Sequence, residues 1–267
     1  MPTRSRLDAE LVRRKLARSR QHAAELITAG RVTVNGLPAG KPATQVDRAA
    51  PVVVEERADE PDWASRGAHK LLGALAAFAD VVVEGRRCLD AGASTGGFTD
   101  VLLQRGAREV VAVDVGYGQL VWRLRSDPRV RVHDRTNVRA LDPEQIGGLV
   151  DLTVADLSFI SLRTVLPALV ACTAPGGTLV PMVKPQFEVG RERLGAGGVV
   201  RDPRLRLAAL TEVADTARGL GLAVRGAVAS PLPGPSGNVE YFLRLARDGE
   251  DDVGDGPLAR AVEEGPR

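Results

Sequence analysis

Two lysines and two carboxylates, each set among apolar neighbours, are the residues whose types suggest chemistry: Lys70, Asp156, Lys184 and Glu240. Such a group could align a hydroxyl and help to remove its proton, which typically contributes about 10²–10⁴-fold to a rate. Lysine is a poor base at neutral pH, with a reference pKa of about 10.4, but burial lowers that value and nearby carboxylates raise it. Taken singly, each residue is equally well explained as a surface salt bridge, so the interpretation depends on the elements that position them.

A loop of small residues joins a predicted strand, Arg87–Asp90, to a predicted helix. Its glycines, Gly92, Gly96 and Gly97, would let a ligand contact the main chain, and the free N–H groups of the helix would face that ligand. A second predicted strand ends at Asp114, where an open α/β nucleotide site places the acid that binds ribose hydroxyls. The pattern therefore predicts a ligand-binding loop; a glycine turn without a ligand is the alternative.

The loop differs from the dinucleotide fingerprint, because three residues separate Gly92 from Gly96 and Asp90 precedes the first glycine. This spacing argues against a nicotinamide cofactor. The pattern resembles the first cofactor motif of S-adenosylmethionine-dependent methyltransferases, in the form found in FtsJ-like RNA ribose methyltransferases. The resemblance implies S-adenosylmethionine as the cofactor, bound by Asp90, Gly92, Ala93, Ser94, Thr95, Gly96, Gly97, Phe98, Asp114, Asp134 and Asp156.

From residue 81 onward, predicted strands and helices alternate, which is the pattern of a doubly wound α/β sheet. The predicted strands are Arg87–Asp90, Val110–Asp114, Arg129–His133, Val150–Ala155, Thr178–Val183, Ala223–Ser230 and Val239–Leu245, and the predicted helices include Thr99–Arg105, Leu162–Cys172 and Arg204–Leu220. A short Pro/Gly loop joins the last two strands, which we expect to pair antiparallel. Seven strands in this order predict a Rossmann-like methyltransferase domain, with the candidate residues at the carboxyl ends of its strands.

The N-terminal region forms a separate basic unit, with ten lysines and arginines against four acids in residues 1–48. The spacing of its apolar residues predicts a first helix with Leu7, Leu11, Val12 and Leu16 buried. A second helix is predicted over Arg20–Ala29, with Ser19 as its N-cap. A strand over Arg31–Val34, a hairpin turn at Asn35-Gly36 and further strands at 45–46 and 52–54 should follow.

This N-terminal pattern resembles the ribosomal-protein S-four-like (αL) RNA-binding module, a small α+β fold. Several of its cations are expected to converge beside the N-terminus of the second helix, where they would bind a nucleic-acid backbone with little sequence preference. The predicted RNA-binding residues are Arg4, Arg6, Lys15, Arg18, Ser19, Arg20 and Lys41. An ordinary solvated helix face is the alternative.

The order of the four charged residues is similar to the K-D-K-E tetrad of ribose 2′-O-methyltransferases, and the whole chain resembles the haemolysin-A/TlyA family. That resemblance implies methylation of cytidine 2′-hydroxyls in ribosomal RNA of the small and large subunits. It also implies that Lys184 activates or orients the hydroxyl, that Asp156 and Lys70 position it and steady the developing charge, and that Glu240 holds the lysines.

Two aromatic residues near the predicted rim, Tyr117 and Phe159, could stack on an extruded base of the RNA. Core packing is the alternative for both. Cys88 and Cys172 lie among apolar residues, which favours packing over a disulfide or a metal site. We therefore predict no metal.

The composition of the chain and its segment boundaries indicate its location and its division into domains. The chain is 44% hydrophobic and 26% charged, which is typical of a soluble globular protein, and it has neither a membrane-length apolar run nor an apolar signal segment. We therefore expect a cytoplasmic protein without a membrane partner. The predicted division is an S-four-like domain over 1–60, a linker over 61–66, an FtsJ-like domain over 67–247 and a disordered acidic tail over 248–267.

Other classes of protein remain open from the sequence. A non-catalytic RNA-binding or ribosome-assembly protein would use the N-terminal unit alone. A membrane-active haemolysin, which the family's historical name suggests, lacks an amphipathic repeat here. Pseudouridine synthases share the N-terminal unit but have no use for the loop after Asp90. The sequence predicts neither the oligomeric state nor the nucleotide that is methylated.

Overall fold

The computed structural model describes residues 4–17, 19–55, 63–247 and 252–265. The chain divides into two compact units, Met1–Asp62 and Trp63–Arg267. Residues 63–66, which we predicted to be part of a linker, belong to the second unit. Ala64 is buried and its backbone N–H donates to Asp100 at 2.8 Å, which fastens this segment to the domain. Arg18 and residues 61–62 of the predicted linker lie outside the described residues.

The first unit contains two helices and short strands: β1 (Arg4–Arg6), α1 (Leu7–Arg13), α2 (Arg20–Thr28), β2 (Val32–Val34), β3 (Leu37–Pro38), β4 (Gln45–Asp47) and β5 (Val52–Val54). β1 pairs antiparallel with β4, and β2 lies between β3 and β5. The Ser19 hydroxyl accepts the backbone N–H of His22 and caps α2, as predicted. Asn35 and Gly36 form the predicted turn, both with positive φ.

The predicted buried position of Leu16 is wrong. Leu7 and Leu11 are fully buried, but α1 ends at Arg13 and Lys15 adopts a φ of 62°. The chain therefore leaves the helical path before Leu16, which is 37% exposed.

The second unit is built on a seven-stranded sheet whose order, β11-β12-β10-β9-β6-β7-β8, confirms the predicted Rossmann-like topology. The strands are β6 (Arg87–Ala91), β7 (Glu109–Val113), β8 (Val130–His133), β9 (Val150–Ala155), β10 (Thr173–Val183), β11 (Ala223–Ala229) and β12 (Tyr241–Ala246). β12 runs antiparallel to β10 and β11, whereas the other neighbouring strands are parallel. The last two strands thus form the antiparallel pair that we predicted.

Helices cover both faces of this sheet because successive strand residues point in opposite directions. Cys88 packs with α3 and α4 on one face, and Leu89 packs with α6 and α8 on the other. The helices are α3 (Gly67–Ala77), α4 (Gly97–Gln104), α5 (Trp122–Arg125), α6 (Leu162–Cys172), α7 (Pro185–Glu188), α8 (Pro203–Gly219) and α9 (Gly256–Glu264), with short 3-10 turns at Val138–Ala140, Arg191–Arg193 and Ala196–Gly198. Across the described ranges, no helix is both long and apolar enough to span a bilayer.

The prediction of a disordered tail is wrong for residues 252–265. Leu258 and Ala261 of α9 are buried in the core beside β11. The backbone N–H of Val253 donates to the carbonyl of Val224 at 2.9 Å and continues the sheet edge. Arg218 of α8 binds the carboxylates of Asp215, Asp252 and Asp255 at 2.9–3.1 Å. Two of these acids, Asp252 and Asp255, belong to the segment that we expected to be solvated, so one arginine joins that segment to α8.

Substitution Arg218→Ala should release α9 from the domain. Hydrogen bonding to Arg218 lowers the pKa of Asp252 from 3.8 to about 2. A lowered carboxyl pKa adds stability that is complete above the unfolded value and is lost as pH falls towards the folded value. The protection factors of the amides in 252–265, which are corrected for the pH dependence of intrinsic exchange, should therefore fall in the variant and be equal in the wild type at pH 7 and pH 5. Arg105→Ala, at an exposed arginine after α4, is the control. Equal protection of the amides of 252–265 in both variants would contradict the role of Arg218 in holding α9.

Candidate active site

Polar residues gather at one edge of the sheet because the carboxyl ends of neighbouring parallel strands meet there. Asp114, Asp134, Asp156 and Lys184 each follow the last residue of β7, β8, β9 and β10, respectively. The register places Ala91 of β6 opposite both Val113 and Ala155, so these strands end level. The prediction of a polar carboxyl edge is thereby confirmed.

Lys184 and Asp156 form an ion pair at this edge, with Nζ 2.6 Å from Asp156 Oδ1. The lysine side chain is 8% exposed and the aspartate 24%. Lys184 Nζ also donates to the hydroxyl of Ser158 at 2.9 Å. The amine thus has two oxygen neighbours, both on the segment that follows β9, while its aromatic neighbour Phe187 has its ring centroid 6.0 Å away.

Lys70 and Glu240 form a second, more deeply buried pair, with Nζ 2.5 Å from Oε2. Their side chains are 5% and 1% exposed. Lys70 lies on α3, and Glu240 directly precedes β12. Gln186, two residues after Lys184, donates to the other oxygen of Glu240 at 3.5 Å. The segment that carries Lys184 therefore contacts the second pair, and the structure brings the four predicted residues to one region of the rim.

Glu188 of α7 was missed by sequence analysis. Its carboxylate is buried and accepts the Ser161 hydroxyl at 2.6 Å and the backbone N–H of Leu162 at 2.7 Å. It thereby caps α6 and joins the segment after β9 to the segment after β10. The only sequence signal is a carboxylate four residues after Lys184, which is too weak to identify a partner.

The glycines of the loop after β6 are explained by close packing within the domain rather than by open space for a ligand. A side chain at Gly92, whose φ is +89°, would collide with the Asp156 carbonyl, and one at Gly96, whose φ is +102°, would collide with Leu120 and Leu124. Gly97 is similarly packed against Ser65. These neighbours explain why a side chain does not fit at the three positions, and contact between the loop backbone and a ligand stays a prediction.

Other predicted loop residues divide into buried and accessible groups. Ala93 and Phe98 are core residues, and the Phe98 ring lies 6.0 Å from that of Phe242. The Phe98 ring therefore packs in the core, and its role at the cofactor stays a prediction. Thr95 is half-buried, and its carbonyl accepts the backbone N–H of Val121 at 3.2 Å. Ser94 is exposed with a φ of 47°, and it presents the accessible face of the loop.

Asp90 lies beneath this loop and is fully buried. One carboxylate oxygen accepts the Thr99 hydroxyl at 2.6 Å, whereas Oδ1 has no hydrogen-bond partner within the described residues. Burial raises the pKa of this carboxyl to about 7, because the charged form loses its hydration. A nearby positive charge or donor would restore the ionised form.

Asp114 and Asp134 occupy the next two strand ends. Asp114 accepts the backbone N–H groups of Ser94 and Gly116 at 2.8 and 2.7 Å, so it fixes the loop's conformation. Asp134 pairs with Arg125 at 2.9 Å, and hydrogen bonding to that arginine lowers its pKa. Each carboxylate retains lone pairs for another donor.

The two predicted stacking residues are exposed. Tyr117 is 66% exposed, with the Arg135 guanidinium carbon 4.4 Å from its ring centroid. Phe159 is 91% exposed, its φ is 64°, and its ring lies 5.3 Å from that of Phe187. Core packing is therefore excluded as the explanation for either residue. A phenylalanine in the left-handed region is uncommon and marks a constrained segment.

In the first unit, Arg6 and Arg20 converge on Asp8, at 2.9 and 3.0 Å. Hydrogen bonding to Arg6 holds the pKa of Asp8 well below its usual range. Lys41 lies nearby, since the Asp8 N–H donates to the carbonyl of the next residue, Pro42. Arg4 lies on β1 and is exposed, whereas Lys15 follows the opposite end of α1. Lys15 is therefore separate from the cluster around Asp8.

Metal ligation is not supported by the described parts of the chain, where no group of three or more His, Cys, Asp or Glu side chains is arranged to hold an ion. Both cysteines are buried and free. Burial raises the pKa of Cys88 to about 12 and that of Cys172 to about 11, so neither thiol is activated.

Comparison with known proteins gives matches to both units. Residues 63–247 match the FtsJ-like methyltransferase family and residues 5–51 match the S4 domain. A Mycobacterium tuberculosis protein named 16S/23S rRNA (cytidine-2'-O)-methyltransferase TlyA is 62% identical and covers 100% of both chains. Hemolysin A of Brachyspira hyodysenteriae is 35% identical, over 90% of this chain and 99% of its own. A solved structure named as a hemolysin from Streptococcus thermophilus has a TM-score of 0.78 and 38% identity, covering 99% of this chain and 96% of that chain. Together with the Rossmann-like sheet and its lysine–carboxylate edge, these matches show that the chain belongs to the FtsJ-like methyltransferase family and carries an S4 domain ahead of its methyltransferase domain.

Proposed function

We propose that this chain methylates the 2′-hydroxyl of cytidine in ribosomal RNA, in the cytoplasm, with S-adenosylmethionine as the methyl donor. The observation that carries the proposal is the pair of buried lysine–carboxylate contacts at the carboxyl edge, Lys184 with Asp156 and Lys70 with Glu240, at 2.6 and 2.5 Å. The choice of ribosomal RNA and of cytidine rests on the name of the Mycobacterium tuberculosis relative.

The residues at this edge fit such a donor. Asp90 offers a buried oxygen without a hydrogen-bond partner in the described chain, and Asp114 and Asp134 add acceptors at the next strand ends. These acceptors suit a sulfonium cation, an amino group and ribose hydroxyls. Asp90, Ser94, Asp114 and Asp134 would therefore hold the donor, which supplies an electrophilic methyl group when bound. The glycines would act indirectly, by setting the loop's path.

The lysine–carboxylate pairs then have separate tasks. Lys184, beside Asp156, accepts the proton of the 2′-hydroxyl, while Lys70 steadies the developing negative charge on that oxygen. Glu240 keeps Lys70 in place. Alignment of the hydroxyl lowers the activation barrier by up to roughly 7–11 kcal/mol, and removal of its proton raises the rate by about 10²–10⁴-fold. A binding protein without chemistry would gain nothing from burying two lysines, which costs several kcal/mol per ion before pairing.

RNA contacts divide between the two units. Arg6 and Arg20 form a cationic pair on Asp8 that suits phosphate groups, and Lys41 precedes the residue whose carbonyl accepts the Asp8 N–H. Tyr117 and Phe159 offer exposed rings that suit a base taken out of its stack.

The first experiment tests turnover with tritiated S-adenosylmethionine and unmodified small subunits, large subunits and ribosomes. Reverse-transcription stops at limiting nucleotide would map a labelled ribose. Lys184→Ala should lower turnover by about 10²-fold or more, because the proton acceptor is removed, and should leave donor binding unchanged in calorimetry.

Lys184→Arg is the matched control, since arginine keeps the charge but cannot accept the proton, and it should be as inactive as the alanine variant. Wild-type turnover in either variant would remove Lys184 from this role. No label on any substrate, with donor binding verified, would contradict the proposed function.

Asp90→Asn should change the pH dependence of stability. The carboxyl pKa of about 7 lies above the usual 3.8, so the contribution of Asp90 to stability is complete below 3.8 and is lost as pH rises through 7. The melting temperature of the variant relative to wild type should therefore be higher at pH 8 than at pH 5. Saturating donor should narrow the difference at pH 8, because its cation stabilises the carboxylate. Asp114→Asn is the control. A difference in melting temperature between Asp90→Asn and wild type that stays the same at both pH values would contradict the raised pKa of Asp90.

Arg20→Ala should weaken binding to ribosomal RNA and reduce the slope of log affinity against log salt by about one. The guanidinium is 60% exposed and held by Asp8, so it is available to a phosphate. Filter binding across a salt series measures both quantities. Arg48→Ala, which removes an equal charge from the exposed turn after β4, should have a smaller effect. Equal losses in the two variants would indicate a general charge effect without a contact at Arg20.

A further inference from the structure

We propose that Ser158 is a positioning residue that directs the lone pair of Lys184 towards the 2′-hydroxyl. The inference rests on the proposed function and adds to it a residue outside the tetrad. Ser158 follows Asp156 by two positions and is exposed at the rim, and its hydroxyl accepts from Lys184 Nζ at 2.9 Å.

The geometry of an amine explains why a second acceptor matters. A neutral lysine Nζ carries two hydrogens and one lone pair, arranged tetrahedrally with Cε. Ser158 Oγ at 2.9 Å takes the hydrogen bond from Lys184 Nζ, whereas Asp156 Oδ1, 2.6 Å from Nζ, is an ion-pair partner outside hydrogen-bond geometry. With one N–H held by Ser158 and the second attracted by the charge of Asp156, the lone pair is directed to the remaining position. With Asp156 alone, rotation about the terminal C–N bond would let the lone pair and the second N–H exchange places.

The segment that carries Ser158 is fixed well enough for this task. Lys184 holds it near its beginning, and Glu188 holds its end through the Ser161 hydroxyl and the Leu162 N–H. Lys184 directly precedes α7 and Glu188 is its last residue, so one short helix restrains both ends of the segment. The oxygen of Ser158 is therefore kept at a set distance from the amine.

The transfer step balances with the amine in this orientation. The 2′-oxygen forms its bond to the methyl carbon as the methyl–sulfur bond breaks, and that electron pair stays on sulfur. The hydroxyl proton passes to the lone pair of Lys184 Nζ and leaves the site on the resulting ammonium. Ser158 neither gains nor loses a proton in this step; it only restricts the rotation of the amine.

The test compares Ser158→Ala with Ser158→Thr, which keeps the hydroxyl, in the full chain with the ribosomal substrate labelled by wild type. Ser158→Ala should lower kcat about tenfold, a part of the ~10²–10⁴-fold attributed to general-base catalysis. The KM for RNA and the Kd for donor should be unchanged, because no substrate contact is lost. Ser158→Thr should restore most of kcat. Ser126→Ala, at an exposed serine whose hydroxyl bonds the carbonyl of Trp122, is the matched control and should keep wild-type kcat.

Three results would overturn the inference: a wild-type kcat for Ser158→Ala, an equal loss for the threonine variant, or an increase in KM with kcat unchanged. The last would indicate a substrate contact instead. Thermal unfolding of each variant separates a folding defect from a loss of orientation. If wild type itself labels no ribose, the proposed function fails; if wild type is active and Ser158→Ala is equally active, only the role of Ser158 fails.

Discussion

Lys70, Lys184 and Glu240 are almost wholly withdrawn from water, with side-chain exposures of 5%, 8% and 1%. An unpaired charge in such a position would cost several kcal/mol, and each is tolerated because an opposite charge lies within 2.6 Å. The partners come from distant parts of the chain, since Lys70 and Glu240 are 170 residues apart. The pairs therefore form only when the sheet is complete, and the chemistry of the rim depends on the whole domain.

Contacts within the domain also hold the loop after β6 in place. Its glycines allow the carbonyl of Asp156 and the side chains of Leu120 and Leu124 to approach closely. The loop is thus held by the neighbouring strand end and by the segment after β7. The Asp114 carboxylate accepts the backbone N–H of Ser94 in this loop and that of Gly116 after β7. A loop fixed in this way needs little reorganisation when a ligand binds, which lowers the entropic cost of binding.

Sequence patterns predicted the features that depend on local order. The buried strands read as apolar runs, Ser19 was identified as a helix cap, and α6 begins and ends at the predicted residues. The features that were missed depend on contacts between distant segments. β1 contains no apolar residue and forms by pairing with β4, and α9 follows an acidic stretch in which Asp252 and Asp255 pair with Arg218. The glycines were correctly identified as special, but their neighbours could not be known from the sequence.

Some residues of the rim could be predicted from the sequence and others could not, because the latter are identified only by their contacts with distant segments. The four charged residues could be proposed because their order is similar to a known tetrad. Ser158 and Glu188 could not, since a serine and a glutamate near strand ends are common and only their contacts identify them. Gln186 likewise has meaning only beside Glu240.

Both units use a buried carboxylate to hold cations, but the choice of cation differs. Asp8 holds Arg6 and Arg20, whose guanidinium groups stay charged at any physiological pH and bind phosphate through several donors. Asp156 and Glu240 hold lysines, and lysine is the basic residue whose amine serves as a proton acceptor in enzymes. Permanent charge suits attachment to an RNA backbone, whereas a removable proton suits the activation of a hydroxyl. The use of arginines at Asp8 and of lysines at Asp156 and Glu240 is thus consistent with the proposed function, in which the protein binds RNA and deprotonates one of its hydroxyls.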